Sequence, residues 1–277
     1  MNNKIYEEVI KVINAMDEME AIIKDVNKLG GVKKGIAVRK TTDNFSTVVY
    51  IDQMLDNSTV GEIVNYVLDR FEAGRKNFAV NANKITDALN NLEVYAKIVP
   101  RNAGYLAGKV TREFLDMNIV YYIKAMENGN VMITDWLLDT TTFTEEDLYR
   151  AALDRIENNF EYTDMREVLA EQMGVDASEI EMPGMMNVLT NKGKMFGAVS
   201  IISKNVMDYA LKKSKLKKVY VLPSSIHEVI IVPAEIGDVE ALRNMVHEVN
   251  ATQLTPDEIL SENVYVYDID KGQLEIA

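Results

Sequence analysis

The stretch Val219-Tyr-Val-Leu-Pro-Ser-Ser-Ile-His-Glu-Val-Ile-Ile-Val-Pro233 holds two apolar, β-branched runs separated by Pro-Ser-Ser. It reads as two adjacent strands, the second bounded by Pro233. Because strand side chains alternate, Ile226, Glu228, Ile230 and Val232 are expected on one face and His227, Val229 and Ile231 on the other. Both faces are then mostly apolar. A strand apolar on both faces is usually central and covered above and below, so the chain is expected to pack around residues 219–232, with Ile230 buried and the polar pair His227 and Glu228 at the mouth.

Working outward, Met186–Thr190 and Gly197–Ile202 read as strands, Lys204–Lys213 as a helix, and Asp238 opens a helix whose Val239, Leu242, Val246 and Val249 form one stripe. Thr255-Pro-Asp-Glu258 has the cap, first-turn proline and third-position glutamate of another short helix. Val264–Tyr267 and Gln273–Ile276 are expected to pair across Asp270-Lys-Gly272. Upstream, apolar spacing predicts a long helix over residues 4–29, stopped by Gly30-Gly31. Gly35–Arg39 and Phe45–Ile51 form a predicted hairpin across Thr41–Asn44. Thr59 and Glu62 make a capping box for a helix closed by Gly74. A further helix is expected over 84–98, ended by Pro100. Asn118–Ala125 and Val131–Thr134 flank Asn128-Gly129, a strong hairpin signal. Thr144 with Asp147 caps a helix through Leu148, Ala152 and Ile156, and a shorter helix runs from Asp164 to Gly174. Short hairpins cannot join parallel strands. The fold class is therefore α+β, with two mainly antiparallel sheets, packed helices and a possible weak internal duplication. The acidic stretch ending at Met182-Pro-Gly184 is the linker candidate, which gives an N-terminal domain over 1–180, a C-terminal domain over 185–277 and a boundary near 175–184.

Composition limits the function. The chain has 277 residues, 47% hydrophobic and 26% charged, as in ordinary globular proteins. No apolar run approaches the ~18 residues of a membrane span, and the N-terminus lacks the apolar core of a signal peptide. With no cysteine, disulfides, thiolate zinc sites and cysteine nucleophiles are excluded, and a cytoplasmic location is expected. The net charge of −13 opposes direct binding to nucleic acid, whose phosphates are held by lysines and arginines. Residues 145–181 alone carry 12 acidic and 3 basic side chains. Five lysines in Lys212-Lys-Ser-Lys-Leu-Lys-Lys218 read as a solvated helix end rather than a nucleic-acid patch.

Catalytic motifs fail on spacing. Gly104-Tyr-Leu-Ala-Gly-Lys-Val-Thr111 has too few residues between its glycines for a phosphate loop, and a valine before its threonine. Asp268-Ile-Asp-Lys-Gly272 lacks the later ligands of a calcium loop and reads as a turn. No G-x-S-x-G or H-E-x-x-H occurs, and no metal site or cofactor is expected. The two histidines, His227 and His247, are the natural bases. Yet His227 and Glu228 are expected on opposite faces, and Ser225, on the face of His227, lies roughly 6.5–7 Å away at the Cα, too far for a nucleophile–base pair. A structural role for His227 is favoured over a binding role, and that over a catalytic one.

Val188-Leu-Thr-Asn191, Gly197-Ala-Val-Ser-Ile201, Leu222-Pro-Ser-Ser-Ile-His-Glu-Val229 and Met245-Val-His-Glu-Val-Asn-Ala-Thr-Gln253 resemble the C-terminal signature of a bacterial family, domain of unknown function family 5688. Phe114-Leu-Asp116, Val120-Tyr-Tyr122 and Thr144-Glu-Glu-Asp-Leu-Tyr149 resemble its N-terminal half. The resemblance implies a bacterial cytosolic protein, carried by gut-type bacteria or their mobile elements, and implies no chemistry. The leading expectation is a non-enzymatic acidic module that binds another protein with a basic surface. The alternative is an enzyme or small-molecule binder. Its candidate residues are Ser224, Ser225, His227 and Glu228 in the turn, with His247, Asn250, Thr252 and Gln253 beyond it.

Overall fold

A computed structural model describes the chain apart from Met1, Leu29, Gly30, residues 43–45, Glu127, Asn128, Pro183, Ile236 and Gly237. Two compact units result, Met1–Asp87 and Ala88–Ala277. The first holds α1 (Asn2–Asn14), β1 (Met19–Lys28), β2 (Gly31–Lys40), β3 (Thr47–Val49) and most of α2 (Val60–Asn90). Its sheet has the order β1-β2-β3, all antiparallel. Tyr6, Val9 and Ile13 of α1, Ile36 and Val38 of β2, and Ile63, Val67 and Phe71 of α2 form its core.

Two predicted helices change here. The helix expected over 4–29 ends at Asn14, whose side-chain amide donates to Ala21 O and accepts from Ala21 N, fixing the start of β1. Gly74 does not stop α2 either. It lies inside the helix, where a Cβ would stand 2.8 Å from Thr47 Oγ1, so its absent side chain makes room for β3. The Thr59–Glu62 capping box is present. Parts of the turns expected at Thr41–Asn44, Gly30-Gly31 and Asn128-Gly129 lie outside the described residues.

The second unit begins with β4 (Val94–Pro100), β5 (Thr111–Phe114), β6 (Met117–Met126) and β7 (Gly129–Met132), one antiparallel sheet in which β6 pairs with the other three. The helix expected over 84–98 is thus the end of α2 followed by β4. Then come α3 (Asp135–Asp139), α4 (Glu145–Asn159), β8 (Phe160–Asp164), α5 (Met165–Met173), β9 (Asn187–Asn191), α6 (Lys204–Ser214), β10 (Lys218–Leu222), β11 (Val229–Pro233), α7 (Val239–Thr252), β12 (Tyr265–Asp268) and β13 (Gln273–Ile276). Thr144 and Asp147 close the expected box at the start of α4. Gly174 ends α5 in the left-handed region, at φ 68.

The six-stranded sheet runs β13-β12-β10-β11-β9-β8, so the two strands of the opening stretch are its middle pair. Val219, Val221, Val229 and Ile231 are each 0% exposed on one face. Leu222 and Val232, on the other, pack with Leu242 and Val246 of α7 and with Val264. Ile230 is only half-buried. The fold is α+β with mainly antiparallel sheets, three rather than two, and the element order of the first half departs from that of the second.

The expected boundary at 175–184 falls inside this sheet. β8 and β9, which flank that segment, pair from Phe160↔Asn191 to Asp164↔Asn187. The division lies at Asp87 and Ala88 instead. Gly197–Ile202 is a 3-10 helix, not a strand. Thr255–Glu258 keeps its capping hydrogen bonds but makes only a turn. Asp268–Gly272 turns as expected, with Gly272 at φ 64. Lys212 and Lys213 occupy the last turn of α6, and Lys215 caps it in the left-handed region. No helix among the described residues is long and apolar enough to cross a membrane.

Candidate functional site

The loop from Pro223 to Glu228 is a braced turn. β11 starts only at Val229, so the strand alternation expected for residues 226–228 does not apply. Ser225 N donates to Glu228 O at 3.2 Å, and Ile226 N to Glu258 O at 2.9 Å. Ser225 is buried, and its hydroxyl oxygen accepts from His227 N at 3.0 Å, which makes it a turn brace. Ser224 is half-buried at the start of the turn. His227 Nδ1 accepts from Phe196 N at 3.1 Å, so the neutral ring carries its proton on Nε2. Its carbonyl accepts from Thr190 Oγ1 at 2.8 Å.

The second candidate set does not join the first. Asn250 is buried and donates to Ser261 O at 3.0 Å, tying α7 to the segment before β12. His247 is exposed, 3.6 Å from Glu262. Thr252 Oγ1 donates to Glu248 O, and Gln253 Nε2 to Thr252 Oγ1. Neither cleft described below is lined by Asn250 or His227.

The two sides of the turn open onto different surroundings. Glu228 lines a groove of about 250 Å³ with Glu161 of β8 and Glu167 and Glu171 of α5. Val168 and Val188 give it aliphatic walls, and Lys194 enters it, 3.3 Å from Glu171. Other carboxylates of the acidic window are committed elsewhere. Glu145 and Glu146 grip Arg112, Asp147 and Asp164 cap helices, and Glu157 accepts from Ser203 and Asn205. Hydrogen bonds from Arg112 and Arg150 hold Glu146 below the usual carboxylate range.

On the other side His227 begins a row of rings. It stacks on Phe196 at 5.5 Å between centroids, Phe196 meets Tyr122 edge-on at 5.8 Å, and Tyr122 stacks on Tyr95 at 5.5 Å. Tyr95 and Tyr122 are register partners on β4 and β6. Cations sit along the row: Lys97 Nζ is 4.6 Å from the Phe196 centroid, Lys124 Nζ 4.4 Å and Arg155 Cζ 4.9 Å from that of Tyr95. Burial pushes the Lys97 ammonium below its ordinary value. Beside it the Tyr105 hydroxyl is buried without a hydrogen-bond partner and pushed up to about 12, chiefly by burial and then by Asp257. Beyond Tyr95 and Tyr122 opens a cleft of about 580 Å³, with Asp154, Arg155 and Asn159 of α4 on its wall.

Sequence reasoning missed this row because it assigned Tyr95 and Lys97 to a helix. The β-branched Val94, Ile98 and Val99 ahead of Pro100 are the signal for a strand there. Among the described residues no group of three His, Asp or Glu side chains could hold a metal ion.

A family of unknown function, DUF5688, matches residues 2–269. The chain belongs to this family. No curated protein and no solved structure is significantly similar to it. The DUF5688 match runs through both units, from α1 past β12, and assigns no activity to any residue.

Proposed function

We propose that this DUF5688 chain is a non-enzymatic module that binds a basic side chain of another protein in the groove formed by Glu161, Glu167, Glu171 and Glu228. The observation that carries the reading is the convergence of these four carboxylates from three parts of the sequence on one groove. Among the described residues Lys194 is the only cation lining it. The aliphatic walls suit the stem of a lysine or arginine, and the carboxylates suit its head. The enzymatic alternative is weaker: Ser225 braces the turn, and Asn250 is engaged with Ser261. A cysteine-free chain is in keeping with a bacterial cytosolic setting for the interaction.

Affinity capture from a native-host lysate tests this. A basic partner is expected to be retained at low salt and released by salt. Neutralising Glu161, Glu167 and Glu228 together to glutamine should abolish capture, whereas neutralising Glu179 and Glu181, exposed and outside the groove, should not. Retention of nothing, or equal retention by both variants, overturns the reading.

A further inference from the structure

The larger cleft, beside Tyr95 and Tyr122, has the opposite electrostatic character. Lys124 Nζ lies 4.4 Å and Arg155 Cζ 4.9 Å from the centroid of the Tyr95 ring, which puts the two charges at most about 9 Å apart. Like charges within such a distance repel unless something neutralises or screens them. The chain carries 43 acidic side chains, yet neither cation is ion-paired with any carboxylate among the described residues. Among the described residues Asp154 is the one carboxylate lining the cleft, and its Oδ1 accepts from Asn158 Nδ2 at 3.3 Å. An acidic protein that leaves two cations of one cleft without a carboxylate has a place for an anion from outside.

The surroundings narrow its class. A volume of about 580 Å³ lies in the range that encloses small organic ligands. Tyr95 and Tyr122 offer ring surface, and the amides of Asn158, Asn159 and Asn191 lie along the lining. The arginine fork and the lysine point charge together match a doubly charged oxyanion better than a single carboxylate. A polymeric phosphate chain fits poorly, because the net charge of −13 would repel every phosphate beyond those held in the cleft. We infer that this cleft binds a small phosphorylated organic molecule, its phosphate held by Lys124 and Arg155 and its organic part lying against Tyr122 and the asparagines. This site is independent of the acidic groove, with which it shares no lining residue.

Isothermal titration of the full chain at low salt tests the inference, with a nucleoside monophosphate, a hexose phosphate and inorganic pyrophosphate as probes and a single-stranded oligonucleotide as comparison. At least one small phosphate is expected to bind saturably, and Lys124→Met and Arg155→Met should each weaken it at least tenfold. Lys217→Met, an exposed lysine outside the cleft, should leave it unchanged. Thermal melts without ligand establish that the variants fold. Absence of binding by all three probes, binding indifferent to both cleft variants, or an oligonucleotide that binds tighter than every small phosphate overturns it.

Discussion

Asp116 accepts a 2.7 Å hydrogen bond from the hydroxyl of Tyr265, 149 residues further along the chain. The same carboxylate accepts from Ser261 Oγ at 2.7 Å and Asn263 Nδ2 at 3.0 Å, so it ties the β5–β6 turn to the segment that leads into β12. Tyr265 is fully buried, and Asp116 is the carboxylate that accepts from its hydroxyl. Asp116→Ala is expected to cost about 1–3 kcal/mol at neutral pH, because Tyr265, Ser261 and Asn263 all lose the acceptor they share. Tyr265→Phe, which removes the hydroxyl but leaves Asp116 its bonds from Ser261 and Asn263, should cost less. Equal melting of Asp116→Ala and the parent would show that the tie is not stabilising.

The same tie predicts a pH dependence. Burial raises the Asp116 carboxyl, but the hydrogen bonds from Tyr265, Ser261 and Asn263 outweigh it and hold the group below the ordinary carboxylate value. A carboxylate whose folded value is depressed stabilises fully above its unfolded value of about 3.9 and loses that contribution as pH falls through the folded value. The stability gap between parent and Asp116→Ala should therefore be constant from neutral pH down to about 5 and close below about 4. Urea titrations at several pH values check this, and a gap that persists at the acid end would contradict it.

In β11 the half-buried and fully buried isoleucines separate two estimates that alternation alone merges. Ile231 is 0% exposed, whereas Ile230 lies at the edge of the cluster under α7. Ile231→Ala is expected to cost about 2–5 kcal/mol through lost burial and the cavity left behind. Ile230→Ala should cost roughly 1–2 kcal/mol, because its site is already partly open to water. Thermal melts that ranked Ile230→Ala as the more damaging would reverse the assignment of faces in the middle of the sheet.

These predictions divide along what local sequence can encode. The box of Thr144 and Asp147 is closed by residues three apart, and β10 and β11 are apolar on both faces, so both were legible. β1 and β4 were not. Their apolar residues suit a helix as well as a strand, and what decides is pairing with β2 and with β6, the latter more than 15 residues away. Gly197–Ile202 is mostly apolar, yet it coils into a 3-10 helix, with Gly197 close against the backbone of Asn191 and His227, a contact that local sequence does not mark. Of the groove, the four glutamates were in view in the sequence, but their convergence depends on β8, α5 and the turn before β11 meeting in space. The ring row joins residues from 95 to 227, and no local motif marks it.

Lys97 is a case where a charged side chain is expected to cost stability. It is half-buried over Phe196 and near Tyr105, ion-paired with no carboxylate among the described residues, and its ammonium is depressed by burial. A base with a lowered folded value destabilises the fold while it is protonated, and the cost fades as pH rises through that value. Lys97→Met keeps the stem and removes the charge, so it is expected to stabilise the chain by roughly 1 kcal/mol at neutral pH, with the gain shrinking at alkaline pH. A destabilised variant would mean that the contact of the ammonium with the Phe196 ring outweighs the cost of its burial.

Gly197 sets the position of the 3-10 helix against the turn that carries His227. A Cβ there would lie 2.3 Å from Thr190 Oγ1, 2.5 Å from Asn191 N and 2.8 Å from His227 O. Two of these atoms are backbone, and Asn191 N belongs to the end of β9, which pairs with β8, so the neighbours cannot simply rotate away. The hydroxyl is also fixed, since Thr190 Oγ1 donates to His227 O. Gly197→Ala must therefore shift the backbone, and overpacking of this kind costs about 1–3 kcal/mol. The shift should also part Phe196 from His227, because the hydrogen bond from Phe196 N to His227 Nδ1 begins one residue away. Thr190→Val removes that hydroxyl hydrogen bond without adding bulk, and should cost only about 0.5–1.5 kcal/mol. Melting curves give the first comparison, and the imidazole resonances of His227 the second. If Gly197→Ala melts with the parent and its His227 signals stay in place, the close approach of these backbones is not what holds the ring row together.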